Sequence, residues 1–129
     1  MKPNMPLDKD KYLNLTDDEV ESIDQFLFRF SKLQDAIGEK LFKTILLYLE
    51  EKIENKPFID ILNKLEKLEL LNDVVAWKEL REDRNNLAHN YDDEPEETSE
   101  VINKLYSKKD LLISIYQQIK SYYLAKTKN

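Results

Sequence analysis

Thr16-Asp17-Asp18-Glu19-Val20 opens the stretch that decides the fold, and from Val20 the apolar residues Ile23, Leu27, Phe30, Leu33, Ile37, Leu41, Ile45 and Tyr48 return every three or four positions. Such spacing holds side chains on one face of a helix with 3.6 residues per turn. It predicts one long amphipathic helix running to about Glu51. The Thr16 hydroxyl can accept from the amide three residues on while Glu19 reaches back, which marks the helix start as a capping box. Gly38, the only glycine in the chain, falls inside this helix, where glycine costs about 1 kcal/mol relative to alanine. A close helix contact or a slight bend would account for it.

Working outward, Asn55-Lys56-Pro57 breaks the pattern, and Pro57 suits the first residue of a second helix. Phe58, Ile61, Leu65 and Leu68 give that helix its stripe, which ends near Leu71. Asn72 can cap a third helix whose stripe begins Val74, Trp77, Leu80. Asp92-Asp93-Glu94-Pro95 closes the third helix and opens a fourth, lined by Val101, Leu105, Leu112, Ile115, Ile119 and Tyr122. No strand pattern appears. Residues 1–15, with Pro3 and Pro6 and no periodicity, read as a loose N-terminal arm; 16–125 read as one helical domain and 126–129 as a frayed end. Four helices with short connections favour antiparallel neighbours, so the expected fold is all-α, an up-down four-helix bundle. The first and last helices carry more apolar residues than one stripe needs: Phe26, Phe28, Leu46 and Leu47, and Ile102, Tyr106 and Ile113. Either the core face is broad, or a second apolar surface supports self-association.

Composition narrows the function classes. The 129 residues carry a formal charge of −6, with 36% charged residues, no cysteine, one histidine and one glycine. Without cysteine there is no disulfide framework or thiolate metal site, which suits a reducing cytoplasm. One glycine cannot build a Gly-rich phosphate loop, and one histidine cannot build a multi-histidine zinc site. No apolar run approaches the roughly 20 residues that span a bilayer. The charged, proline-containing N-terminus is unlike a signal peptide. A cytoplasmic protein without a cofactor, metal or membrane attachment is the expectation.

The third helix departs from its own pattern. At 100° per residue, Trp77, Leu80, Arg84, Leu87 and Tyr91 fall within about 80° of one another. Arg84 therefore lies on the apolar stripe, where an arginine needs partners or a solvent-filled groove. A structural ion pair would satisfy it. The only histidine follows in Arg84-Asn85-Asn86-Leu87-Ala88-His89-Asn90-Tyr91. A histidine near a helix end is commonly a capping group. The same pair of residue types also suits phosphoryl chemistry: imidazole can take a proton from a hydroxyl, and guanidinium can hold the charge developing on a phosphate.

Arg84 to Tyr91 matches, without a gap, the motif R-x-x-x-x-H-x-Y of HEPN-domain proteins, and resembles most closely the HepT-like toxins. The polar residue usual directly after the arginine is Asn85 here. The setting also fits, with the motif near the end of the third helix of a small bundle. The long first helix carries Phe28-Arg29-Phe30 and Lys32-Leu33-Gln34-Asp35. The resemblance implies a HEPN-like bundle acting as a metal-independent endoribonuclease, with its active site in a cleft of a homodimer. Arg84 would then neutralise the scissile phosphate, His89 would act as general base or acid, and Asn85 would support them. The product would be a 2′,3′-cyclic phosphate. It further implies a minimal nucleotidyltransferase antitoxin that transfers AMP to Tyr91, placing phosphate beside Arg84. Related chains without nuclease activity serve as substrate- or partner-binding subunits of such nucleotidyltransferases, which is the alternative reading. A purely structural helical dimer is a third.

Two features qualify the nuclease reading. Five residues along a continuous helix turn about 500°, so Arg84 and His89 would stand about 140° apart. Either the helix unwinds between Asn86 and His89, or two protomers contribute to a composite site. In addition, nine acids between Glu79 and Glu100 face only Arg81 and Arg84, a local net of −7 that leaves the rest of the chain at +1. An extended nucleic-acid surface is normally basic. The acidic stretch reads as a solvated loop with a well-capped fourth helix, as a docking surface for a basic partner, or as a divalent-ion site at Asp92, Asp93 and Glu94. Lys108-Lys109 and Lys126/Lys128 read as solubilising charges, and Tyr116, Tyr122 and Tyr123 as core or dimer contacts.

Overall fold

The computed structural model describes residues 5–90 and 95–127, with the backbone alone at 87–90 and 127. Its elements are α1 (Lys9–Leu13), α2 (Asp17–Ala36), a π-helical turn (Ile37–Leu41), α3 (Phe42–Tyr48), α4 (Phe58–Lys67), α5 (Val74–Asn90), α6 (Pro95–Ser107) and α7 (Lys109–Thr127). Among the described residues there is no strand, so the protein is all-α. No helix among them is long and apolar enough to cross a membrane. The chain forms two compact units: Met1–Lys32 with Glu79–Lys109, and Leu33–Lys78 with Asp110–Asn129.

In the first unit the expected capping box is present. Thr16 N donates to Glu19 Oε1 at 2.8 Å, and Glu19 N donates to Thr16 Oγ1 at 3.2 Å. The segment read as a loose arm is tied down from Leu7 onward, contrary to expectation. Leu7 is buried; its amide donates to Asn103 Oδ1 and its carbonyl accepts from Asn103 Nδ2, both at 2.7 Å. Asp8 then caps α1 by accepting from Lys11 N, and α1 packs on α6. A backbone clamp of this kind leaves no apolar period in the sequence. Ile23, Leu27, Phe30, Leu80, Ile102 and Leu105 make the interior of this unit.

The single last helix expected from spacing is two helices, α6 and α7, meeting at Lys108. The Ser107 hydroxyl donates to Lys104 O at 2.8 Å, competing for a helical carbonyl. The Lys108 amide is shared between Lys104 O and Leu105 O at 3.1 and 3.2 Å.

In the second unit, the π turn moves the buried face by one position. After Ile37 and Gly38 the buried residues are Phe42, Ile45 and Leu46, while Leu41 is half-buried and Tyr48 exposed. The Phe42 amide reaches back five residues to Ile37 O, so one extra residue enters the turn and the three-to-four spacing slips. Gly38 is explained by close contact rather than by a bend. A Cβ placed on it would stand 3.0 Å from Trp77 Cζ2. The Trp77 ring is itself buried and packs edge-on against Phe42, with centroids 4.8 Å apart. Gln34 Oε1 and Trp77 Nε1 are both buried without a hydrogen-bond partner among the described residues.

Helix ends show what a chain with one glycine does. α3 and α4 both close with Schellman motifs: Glu51 N to Leu46 O and Glu50 N to Leu47 O, then Leu70 N to Leu65 O and Glu69 N to Glu66 O. The left-handed position, usually glycine, is Glu50 in the first and Glu69 in the second, each with φ of 62°. Pro57 is the N-cap of α4 rather than its first residue. Asp73, not Asn72, caps α5, accepting from Ala76 N at 3.1 Å; Asn72 Oδ1 instead accepts from Gln118 Nε2.

Two outcomes follow for stability. Glu50→Gly and Glu69→Gly will each raise the urea unfolding free energy by about 0.5–1 kcal/mol, because glycine relieves the left-handed strain. Glu50→Ala, which keeps the strain, will not. Gly38→Ala will lower stability by about 1 kcal/mol, since overpacking against a fixed ring outweighs the gain in helix propensity. In a Trp77→Phe background that loss will disappear.

Candidate functional site

The motif helix begins in a firm cap. Asp73 accepts from the first turn, and Glu66 Oε2 accepts from Val74 N at 3.3 Å. Trp77 and Leu80 follow as buried anchors, one turn apart on the same face. The next turn carries Asp83 and Arg84. Arg84 is half-buried, with its Nε shut away from solvent, whereas Asn85 and Asn86 are exposed. The arginine therefore stands at the margin of the apolar stripe, with part of its guanidinium covered.

The residue missed by sequence reasoning is Asp83. It is only 7% exposed, and Lys108 Nζ lies 2.7 Å from its Oδ2 and 3.8 Å from Glu79 Oε2. Lys108 is thus no mere solubilising charge. Its neighbour Lys109 lies over the Tyr106 ring at 4.0 Å, and Tyr106 packs in turn on Phe26. Asp83 stands three residues after Leu80 and six after Trp77, so its place beside the stripe was readable. It was counted only as one acid among nine. Two of those nine, Glu79 and Asp83, belong to this ion-pair cluster. Glu96 and Glu97 occupy the first turn of α6, where acids complement the helix dipole.

α5 stays helical to Asn90. The unwinding between Asn86 and His89 allowed by the sequence is therefore absent. Positions 84 and 89 remain about 140° apart around one axis, and the backbone of a single chain does not bring them to one face. The His89 side chain lies outside what the structure describes, as do Tyr91 and the Asp92, Asp93 and Glu94 considered for a divalent ion. Of the four residues singled out, Arg84 and Asn85 are placed in full: the first at the margin, the second in solvent.

Several of the surplus apolar residues divide cleanly. Leu46 and Ile102 are buried, whereas Phe28, Leu47 and Ile113 are 63%, 58% and 47% exposed. Phe28 and Val20 line a shallow groove on α2 with Asp17, Glu21 and Asp24. Tyr123 is exposed and meets Tyr48 edge-on at 5.0 Å. Tyr116 and Tyr122 are half-buried.

Breaking the partly buried ion pair tests how the motif helix is held. Lys108→Met will lower stability by about 2–4 kcal/mol, because it leaves Asp83 enclosed without its cation. Asp83→Leu combined with Lys108→Met will recover most of the loss. Denaturant melts of the two variants decide it.

Comparison of the chain with family models, with characterised proteins and with solved structures returns no match. The case for function rests on the residues themselves.

Proposed function

We propose that this chain is a HEPN-like endoribonuclease toxin: an up-down four-helix bundle that works in the cytoplasm as a homodimer and needs no metal. The observation that carries the reading is Arg84 at the margin of the buried stripe of α5, followed by Asn85, His89 and Tyr91 at the spacing of the HepT-like motif. The continuation of α5 to Asn90 supports a composite site, in which Arg84 of one protomer would face His89 of the other. Exposed apolar residues on α2 and α7 support self-association.

In this mechanism Arg84 holds the scissile phosphate and neutralises the charge that grows on its oxygens. His89 takes the proton of the adjacent 2′-hydroxyl, whose oxygen forms a new bond to phosphorus. The bond from phosphorus to the 5′-oxygen breaks, and that oxygen leaves with a proton. The products are a 2′,3′-cyclic phosphate and a 5′-hydroxyl. Asn85 supplies a neutral hydrogen bond beside the phosphate. A minimal nucleotidyltransferase antitoxin inhibits the enzyme by transferring AMP from ATP to the Tyr91 hydroxyl, with loss of its proton and release of pyrophosphate. The added phosphate competes for Arg84.

The acidic stretch from Glu79 to Glu100 favours a second reading. Its local charge of −7 suits a noncatalytic subunit that docks a basic nucleotidyltransferase rather than RNA.

Single-stranded RNA incubated with purified protein in EDTA separates the two. Cleavage with cyclic-phosphate ends is expected, and Arg84→Ala and His89→Ala will each lower it by roughly 100-fold or more. Mixing the two variants will restore roughly a quarter of wild-type activity, since half the dimers are mixed and each mixed dimer holds one intact composite site. No cleavage by the wild type, or full activity in His89→Ala, overturns the nuclease.

A further inference from the structure

In the second unit, the loop after α3 and the outer face of α4 enclose a cleft of about 240 Å³. Four lysines line it: Lys52 and Lys56 from the loop, Lys64 and Lys67 from α4. In a chain of net charge −6, such a concentration runs against the overall balance. Only two acids share the lining, Glu51 and Asp60, and Glu51 is already bound to Lys64 at 3.3 Å. Lys52, Lys56 and Lys67 make no ion pair among the described residues. Asp60, Lys64 and Lys67 share one face of α4, with the two lysines about one turn, roughly 5 Å, apart.

The chemistry of the lining narrows the ligand. Ammonium groups on flexible stems are point charges that neutralise phosphates, and the cleft has no arginine fork to select a planar carboxylate. Lysines spread over a loop and a helix suit successive phosphates better than a single one. No exposed large apolar side chain lines the cleft, and binding in a membrane interface needs one. A polynucleotide backbone meets all three conditions.

We propose that this cleft is a phosphate-binding site that holds the backbone of single-stranded RNA through Lys52, Lys56 and Lys67. The choice of RNA rests on the ribonuclease reading; the phosphate site does not. Asp60 is the one carboxylate there that opposes the ligand, and it limits the affinity. The site also answers the objection raised by charge, because the cations that follow a backbone are in this cleft rather than in the acidic stretch around Arg84.

The test uses the full chain carrying His89→Ala, a fluorescent single-stranded oligoribonucleotide and anisotropy measured across a salt series. Replacing Lys52, Lys56 and Lys67 by Gln will weaken binding at least tenfold at low salt and lower the log–log salt slope by about 2, near 0.7 per lost contact. Asp60→Asn will tighten binding severalfold. A charge-matched triple at Lys9, Lys40 and Lys104, all exposed and outside the cleft, will change neither much. Equal losses from both triples overturn the site in favour of bulk charge. If only the cleft triple abolishes a melting shift produced by tripolyphosphate, or binding to phosphatidylserine vesicles, while RNA binding is untouched, the RNA assignment is overturned. Lysine-dependent RNA binding by a wild-type chain that cleaves nothing keeps this site and removes the nuclease.

Discussion

A carboxylate packed beside Leu80 must bring a cation with it, because an enclosed charge without a partner costs several kcal/mol. Asp83 meets that condition through Lys108 at 2.7 Å, and local features follow from the demand. The lysine comes from the end of α6, so that end is drawn onto α5. The Ser107 hydroxyl and the shared Lys108 amide accommodate the turn there, and the helix expected to continue is interrupted. Arg84, the next residue along, inherits its place. It has a partly buried ion pair on one side and the exposed Asn85 on the other. The half-buried position of Arg84 thus goes with the burial of the residue before it.

Having a single glycine imposes a second constraint. The glycine is used where backbone meets ring, at Gly38 against Trp77, and none remains for the helix ends. Glu50 and Glu69 accept the left-handed conformation instead, at about 1 kcal/mol each. The Gly38 region carries other costs as well. A π turn and two buried polar atoms without partners, on Gln34 and Trp77, lie within the same unit.

The physics of each element decided how much of it could be read from the sequence. Helical period, the Thr16 capping box and the break at Pro57 were legible because they are local. The π turn was not: one extra residue leaves a three-to-four spacing that still looks regular, and so Leu41 and Tyr48 were placed in a core that holds Phe42 and Leu46. The clamp of Leu7 by Asn103 joins positions 96 apart, and no pattern in either neighbourhood announces it. Within the site, the marginal position of Arg84 was legible from the stripe. The pairing of Asp83 was hidden because adding up charges says nothing about which of them are buried.

Counting charges misleads a second time over nucleic-acid binding. The stretch from Glu79 to Glu100 sums to −7, yet two of its acids are tied to Lys108 and two sit in the first turn of α6. Its acidity is thus partly structural. The segment from Glu50 to Glu69 also contains more acids than lysines, and a sequence average would pass over it. In space two of its six acids are engaged, Glu66 by the Val74 amide and Glu51 by Lys64. Glu50 and Glu69 close helices through their backbone, and Glu54 and Asp60 do neither. Three lysines of the cleft are left without acidic partners among the described residues. Affinity for a polyanion depends on which cations have no internal partner rather than on net charge. By that criterion net charge alone does not decide whether an acidic chain can meet a polyanion.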